Sequence, residues 1–391
     1  MKPSDVKTVT VIGAGTMGRG IAQIAATCGK KVNLVDSNSA ALDSALSDYK
    51  RIFARLIEKG RMTSDEMTQA LSNISFHPNL TEVANADFFI EAVVENLNVK
   101  QTIFKTIESF AAPTAVLATN TSSLAVTAIA GACEHSERVI GVHFFNPAPL
   151  MPLVEIVPGI ATDSQLTKNT RALIDDWGKT TVIAKDTPGF IVNRVARPFY
   201  GESIRIFEEG IADAATIDWA LREIGGFRMG PFQLMDLIGI DINFTVTETV
   251  FEAFFYDPRF KPSFTQKRMV EAGYLGKKSG RGFYDYADGA APAIPDTNNK
   301  LGQQIVDRVV AMLINEAADA VFMQIAARED VDLAMTKGVN YPKGLLAWAD
   351  EIGLDAVLAR LNALQDEYGE DRYRANPLLK RLVREGHTFY S

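Results

Sequence analysis

Short apolar, β-branched runs separated by polar stretches recur through the first half of the chain. They are Val9-Thr10-Val11-Ile12, Lys31-Val32-Asn33-Leu34-Val35, Phe88-Phe89-Ile90-Glu91-Ala92-Val93, Val116-Leu117-Ala118-Thr119, Val139-Ile140-Gly141-Val142-His143, Leu153-Val154-Glu155-Ile156-Val157 and Thr181-Val182-Ile183-Ala184. Each has the length and composition of a buried strand. Helical stretches alternate with them, one through Ile21-Ala22-Gln23-Ile24-Ala25 and a long one from about Ser39 to Lys59. This alternation predicts an α/β domain built on a doubly wound parallel sheet. Asp186-Thr187-Pro188-Gly189-Phe190 breaks the pattern, and beyond it the chain reads as nearly all helix.

The helical half repeats itself. Ile191-Val192-Asn193-Arg194-Val195 recurs as Ile305-Val306-Asp307-Arg308-Val309, an offset of 114 residues. The same offset carries Glu202 to Glu316, Gly230 to Gly344, Asp236 to Asp350, Gly239 to Gly353 and Asp241 to Asp355. Lys267-Arg268-Met269-Val270 matches Lys380-Arg381-Leu382-Val383 with one residue lost. So many matches at one offset indicate a duplicated helical unit. The expected organisation is a first domain over residues 1–186, a helical domain over 187–287, a Gly/Ala/Pro/Asn linker over 288–299 and a second helical domain over 300–391. The expected fold is thus an α/β Rossmann-type doubly wound sheet followed by two tandem all-α domains.

The first strand runs straight into Gly13-Ala14-Gly15-Thr16-Met17-Gly18, and a helix follows. Gly13 permits the tight turn, Gly15 close approach of the backbone to a pyrophosphate, and Gly18 close packing of helix on strand. The free N–H groups at that helix start face the phosphates. The second strand ends on Asp36, 18 residues past the last glycine, where a ribose-binding carboxylate belongs. Asp36 would take both ribose hydroxyls and repel a 2′-phosphate, and Ser37-Asn38 brings no arginine for one. NAD is therefore expected rather than NADP.

A net charge of −8 argues against nucleic acid or an anionic membrane as partner, and no apolar run approaches membrane-span length. The first strand begins within ten residues of Met1, leaving no room for a leader, and the expected location is the cytoplasm. Cys28 and Cys133 are far apart and without metal spacing, so both are expected as buried small apolar residues, with no disulfide and no metal.

Of four histidines, His387 lies in the C-terminal tail, His135 in a polar turn and His77 before a proline in a connection. Only His143 ends an apolar strand, and the carboxyl ends of strands in such a sheet are where ligands bind. Glu155 stands mid-strand in the next apolar run. A buried acid needs a partner, and a His–Glu pair supplies one while orienting the imidazole as a general base. Thr119-Asn120-Thr121-Ser122-Ser123 ends another strand and offers hydroxyls, some of them expected to N-cap the next helix. Arg51, Arg55 and Lys59 recur every four residues on the long helix, either a solvated face or a contact for an anionic substrate tail.

These residues together resemble the NAD-dependent L-3-hydroxyacyl-CoA dehydrogenases. The likeness rests on the glycine loop, Glu91-Ala92-Val93-Val94-Glu95-Asn96, Asn120-Thr121-Ser122-Ser123, His143-Phe144-Phe145-Asn146-Pro147, Asp186-Thr187-Pro188-Gly189-Phe190-Ile191-Val192-Asn193-Arg194, Met229-Gly230-Pro231-Phe232 and Gly276-Lys277-Lys278-Ser279-Gly280. It implies reversible oxidation of a 3-hydroxyacyl-CoA to a 3-ketoacyl-CoA. His143 matches the family's base and Glu155 its paired acid. Ser122 matches the serine that hydrogen-bonds the substrate oxygen, and Asn193 the amide that polarises its carbonyl. Thr16 and Met17 of the loop, Glu95, Lys100, Asn146 and Lys278 match positions lining the cofactor site. Lys59 falls on the lysine used for the CoA phosphates, which draws Arg55 into the same role.

Two arginines depart from the family. Arg228 stands where many relatives have proline, and Arg197 follows Asn193 by four residues. Either is structural or meets a second carboxylate on the acyl chain, as in 3-hydroxyadipyl-CoA of phenylacetate-type catabolism. In the second copy Asp307 replaces Asn193, and nothing like Asp186-Thr187-Pro188-Gly189-Phe190 or Gly276-Lys277-Lys278 recurs. That copy is expected to have lost its site residues and to act as an internal partner, giving a monomer with a pseudo-dimer of helical domains, or a homo-oligomer. A dehydrogenase of a free hydroxy acid such as L-gulonate, and a non-catalytic NAD-binding scaffold, are the competing readings. The first would not need the basic stripe, and the second would not need Ser122, His143, Glu155 and Asn193 together.

Overall fold

The computed structural model describes residues 2–390, and the chain divides after Phe190 into two compact units. The first is built on one sheet of eight strands in the order β3-β2-β1-β4-β5-β6-β7-β8. These are β1 (Thr8–Ile12), β2 (Lys31–Val35), β3 (Ile74–His77), β4 (Phe88–Glu91), β5 (Val116–Thr119), β6 (Val139–Phe144), β7 (Leu153–Pro158) and β8 (Thr180–Ile183). Every residue of β4, β5 and β6 is buried, the signature of a sheet covered on both faces. The helices between them are α1 (Thr16–Thr27), α2 (Ser39–Glu58), α3 (Ser64–Ser72), α4 (Leu97–Glu108), α5 (Val126–Ala130) and α6 (Ser164–Asp176).

The sheet is not wholly parallel. β1 to β6 run parallel, but β7 pairs antiparallel with β6 and β8 runs with β7. An apolar run carries no direction, so the reversal has no sequence signature; the short connection between β6 and β7 imposes it. β3 also has no counterpart among the strands expected from sequence. It is a four-residue edge strand with one buried position, too short and too polar to stand out, and it ends on His77. The cysteines are corrected as well: Cys28, just past α1, is exposed and Cys133 is half-buried, and both are free thiols.

The second unit is helical. Its first copy comprises α7 (Val192–Val195), α8 (Arg197–Glu208), α9 (Ala214–Trp219), α10 (Pro231–Ile238), α11 (Ile240–Ala253) and α12 (Phe264–Glu271). Its second comprises α13 (Asn299–Phe322), α14 (Arg328–Gly338), α15 (Leu345–Ile352), α16 (Leu354–Tyr368) and α17 (Pro377–Glu385). The elements correspond in order, α13 standing for α7 and α8 together. Gly239 (φ +107°) and Gly353 (φ +92°) make the same left-handed link between consecutive helices. The connection over residues 288–298 carries no regular structure.

The two copies pack on each other within this one compact unit. Arg194 Nε donates to Glu316 Oε1 at 2.8 Å, and Arg308 Nε donates to Glu202 Oε1 at 2.6 Å. Arg308 is the repeat of Arg194 and Glu316 the repeat of Glu202. Such reciprocal exchange is the mark of a two-fold, self-complementary interface. The copies also share a feature that lies off the common offset of the repeat. Asp236 accepts Phe283 N–H and Tyr284 N–H, and its repeat Asp350 accepts Phe389 N–H and Tyr390 N–H, so Phe283-Tyr284 recurs as Phe389-Tyr390.

Candidate active site

The glycine loop leaves β1 at Gly13, whose φ of +102° and whose approach to Ala92 O, 2.6 Å from where a Cβ would sit, admit no other residue comfortably. A Cβ on Gly18 would stand 1.8 Å from Gly13 O, so this glycine closes helix on loop. Gly15 differs: the space its Cβ would occupy is open to 4 Å. No protein contact demands glycine there, so the demand comes from what the loop faces. Gly15 is also the N-cap of α1 and offers no side-chain cap, which leaves the N–H groups of the first turn, Thr16 and Met17 among them, for an anion.

Asp36 closes the other side of this cradle. Its Oδ2 accepts Ala14 N–H at 2.7 Å and its Oδ1 accepts Asn38 N–H at 2.9 Å. A carboxylate has about four acceptor positions, so about two remain for vicinal ribose hydroxyls. Loop, helix start and acid thus fit a dinucleotide.

His143 and Glu155 stand directly opposite each other in the antiparallel β6–β7 register. Glu155 is wholly buried, and its Oε2 lies 2.7 Å from His143 Nδ1. A carboxylate only accepts, so Nδ1 carries the proton and Nε2 presents its lone pair. Among the described residues Nε2 makes no hydrogen bond. The imidazole is walled by Phe145, ring centroids 4.5 Å apart, and Phe190 at 5.7 Å. Phe190 holds its place with a left-handed φ of +45°.

The loop after β5 is ordered by acids. Glu95 Oε1 accepts Thr121 Oγ1 at 2.5 Å, Ser122 N–H at 3.0 Å and Ser123 N–H at 3.0 Å. Burial pushes the Glu95 carboxyl up, but the Lys100 ammonium and the bonds from Thr121 and Ser122 outweigh it and hold the group below its ordinary value. The Ser122 hydroxyl has no partner among the described residues. The expectation that these hydroxyls cap the next helix is not met. Asp186 caps α5 instead, accepting Val126 N–H at 2.9 Å and Thr127 N–H at 2.7 Å.

Lys100 is buried, its Nζ 2.6 Å from Glu91 Oε1 and 3.2 Å from Glu95 Oε2. Glu91 also accepts Thr119 Oγ1 at 2.8 Å, so it ties β4 to β5 beneath the loop. Glu91 has no role among the expectations from sequence, although an acid inside an apolar run is the signal that singles out Glu155.

The remaining candidates are scattered. Asn146 is exposed after β6. Arg55 and Lys59 are exposed on and just past α2 and make no ion pair among the described residues, whereas Arg51 pairs with Asp48. On the helical unit Asn193 is half-buried, its amide without a hydrogen bond among the described residues, and Lys278 pairs with Asp241 at 2.6 Å. Arg228 is exposed. Among the described residues no group of side chains is set to hold a metal, and no helix is long and apolar enough to cross a membrane.

Comparison with known proteins places this geometry. The family described as 3-hydroxyacyl-CoA dehydrogenase, NAD binding domain, matches residues 8–187, and its C-terminal domain matches residues 189–286 and 305–389. The chain belongs to the 3-hydroxyacyl-CoA dehydrogenase family. It is an NAD-dependent oxidoreductase, and NAD is its cofactor. It is 38% identical to a 3-hydroxyadipyl-CoA dehydrogenase of Escherichia coli K12, over 98% of this chain and 99% of that one. A probable 3-hydroxybutyryl-CoA dehydrogenase of Bacillus subtilis is 41% identical but spans 73% of this chain. A solved structure of a 3-hydroxybutyryl-CoA dehydrogenase from Escherichia coli K12 superposes with a TM-score of 0.93 at 37% identity, covering 97% of this chain and 99% of that one.

Proposed function

We propose that this chain oxidises the 3-hydroxyl of a short-chain (S)-3-hydroxyacyl-CoA, of the 3-hydroxybutyryl or 3-hydroxyadipyl class, to the ketone. The observation that carries the reading is the buried Nδ1–Glu155 bond of 2.7 Å, which fixes His143 with Nε2 as a base. Bound NAD supplies the hydride acceptor. His143 Nε2 takes the proton of the hydroxyl as the C3–O bond becomes double, and Glu155 stabilises the imidazolium so formed. Ser122, its hydroxyl free, hydrogen-bonds the reacting oxygen. Asn193 donates from its amide to the thioester carbonyl. Thr16, Met17 and Asp36 hold the dinucleotide with Glu95, Lys100, Asn146 and Lys278 around it, Lys100 acting chiefly by holding Glu91 and Glu95 in place. Arg55 and Lys59, exposed and unpaired, receive the CoA phosphates.

In this reading the dinucleotide domain runs to about residue 186. Residues 187–287 form the working helical copy, and residues 300–391 serve as its partner within the chain.

The test is NADH formation by the full chain with (S)-3-hydroxybutyryl-CoA, 3-hydroxyadipyl-CoA and the corresponding free acids. His143→Gln is expected to lower turnover about 10³-fold, the scale of a lost general base, while NAD binding persists. Turnover of the free acids equal to that of the thioesters would overturn the assignment.

A further inference from the structure

The duplication supplies an internal control for every buried polar residue of the first helical copy. Asp218 and Asp236 are kept in the second copy as Asp332 and Asp350. A second cluster is not kept. Arg197, Asn243 and Thr247 become Ala311, Val357 and Leu361 at the 114-residue offset, and Gln266 becomes Leu379 after the one-residue loss. Of the four replaced side chains Arg197, Asn243 and Gln266 are 8%, 3% and 2% exposed and Thr247 is half-buried, and all four replacements are 1% exposed or less. The helical core therefore packs dry at these positions, and nothing in the fold requires a charge there.

The polar cluster is nevertheless organised. Gln266 Nε2 donates to Asn243 Oδ1 at 2.9 Å, Thr247 Oγ1 donates to Asn243 O at 2.9 Å, and Arg197 Nη1 donates to Thr247 Oγ1 at 3.2 Å. That is the only hydrogen bond the Arg197 side chain makes among the described residues. Its guanidinium lies over the Tyr200 ring at 5.0 Å, no acid pairs with it, and its Nε is buried without a partner. Burying a cation uncompensated is costly, and burial accordingly lowers its pKa.

Arg197 lines a cavity of about 110 Å³ together with Ile204, Phe260, Lys261, Phe264 and Gln266. The other basic residues around it are not equivalent. Arg259 is saturated by Asp257, Glu316 and Asp319, and Arg205 stands 3.8 Å from Glu370. Lys261 at the rim is exposed and has no ion-pair partner among the described residues. The one acid of the lining, Glu208, accepts the Thr265 N–H.

We propose that this cavity is a carboxylate-binding subsite, with the Arg197 guanidinium as its cation. Thr247 occupies Nη1 and Nε is fully buried, so Nη2 is the donor left for the charge-assisted hydrogen bond that a guanidinium makes with a carboxylate. Ile204, Phe260 and Phe264 give apolar walls for the methylenes leading to it. The ligand is an aliphatic chain ending in a carboxylate, and two sources fit. One is the terminal carboxylate of a dicarboxylyl thioester, which rests on the activity proposed above; the other is a free dicarboxylate.

The test uses the full chain as wild type, Arg197→Met, Arg197→Lys, and the double variant Arg197→Ala with Thr247→Leu, which copies the second helical copy. Two quantities are measured: the ratio of kcat/KM for 3-hydroxyadipyl-CoA to that for 3-hydroxybutyryl-CoA, and calorimetric binding of adipate. In Arg197→Met and the double variant the ratio is expected to fall about 10- to 100-fold, the scale of a charge-assisted pair. Arg197→Lys, which keeps the charge and loses the planar guanidinium, is expected to lie between. Loss of adipate binding with an unchanged ratio supports the subsite and assigns it to a free dicarboxylate. A ratio and an adipate affinity both indifferent to Arg197 in folded protein overturn it. Should the wild type oxidise neither thioester, the activity assignment fails while the adipate titration still decides the subsite.

Discussion

Asp218 and Asp332 stand at the same point of the two helical copies, and each caps the next helix. Asp218 accepts Phe232 N–H and Gln233 N–H at the start of α10, and Asp332 accepts Leu346 N–H and Ala347 N–H at the start of α15. Each also takes a tyrosine hydroxyl, from Tyr284 at 2.6 Å and Tyr390 at 3.0 Å. Around Arg197 the copies part: a linked polar cluster in one, Ala311, Val357, Leu361 and Leu379 in the other. Asn193 likewise becomes Asp307, which turns to Arg360 at 2.9 Å. The contrast separates two reasons for burying a polar side chain. Helix starts leave N–H groups that any copy of the fold must satisfy. Away from the interface between the copies, groups without that duty persist only where a ligand calls for them.

The largest test of this comparison is the reciprocal ion pair. Arg308→Met leaves the buried Glu202 with only the Tyr373 hydroxyl, and is expected to cost about 3–5 kcal/mol of unfolding free energy. Arg194→Met is expected to cost less, because Glu316 keeps Arg259 at 3.2 Å. Equilibrium denaturation of both variants measures this, and the reverse ranking would break the account of the interface.

Next in size is the exchange between Asn193 and Asp307. Asn193→Asp is expected to lower kcat/KM about 100-fold, as for a lost carbonyl donor. Asp307→Asn removes a surface pair with Arg360 and is expected to leave turnover unchanged, with a stability change under about 1 kcal/mol. Steady-state kinetics on both decides whether the second copy is catalytically silent.

The smallest test is by pH. Burial raises the Asp218 carboxyl to about 6, against the opposing bonds from Tyr284, Phe232 and Gln233. The native chain then holds more protons at this group than the unfolded chain between about pH 4 and 6. Its contribution to stability therefore falls as pH rises through that window and is flat above it. Relative to Asp218→Asn, the wild type should lose roughly 2–3 kcal/mol between pH 4 and 7. Asp332, raised for the same first reason, should give a loss of the same sign in the second copy. A gap that widens in favour of the wild type would contradict the cause given.

Much of this was legible in the chain. The glycine loop, Asp36, the His143–Glu155 pair and the duplication rest on local patterns or on one fixed offset, and such signals survive without coordinates. What escaped depends on long-range pairing. The direction of β7 is invisible because an apolar run reads the same both ways. Asp186 lies 60 residues from the Val126 N–H it caps, and no local rule joins them. Phe389-Tyr390 was missed because a shortened segment moves it off the repeat's offset, and only the shared aspartate contacts reveal it. Glu91 alone was within reach, by the argument already used for Glu155.

The exchanged arginine and glutamate pairs have a further consequence. Where two separate chains make such an interface, a substitution strikes both halves at once and assembly weakens on dilution. Here each substitution strikes one half, and the tether holds the other at a fixed effective concentration. Association of the two halves is therefore independent of how much protein is present, and one half is free to change its chemistry while the other keeps its own.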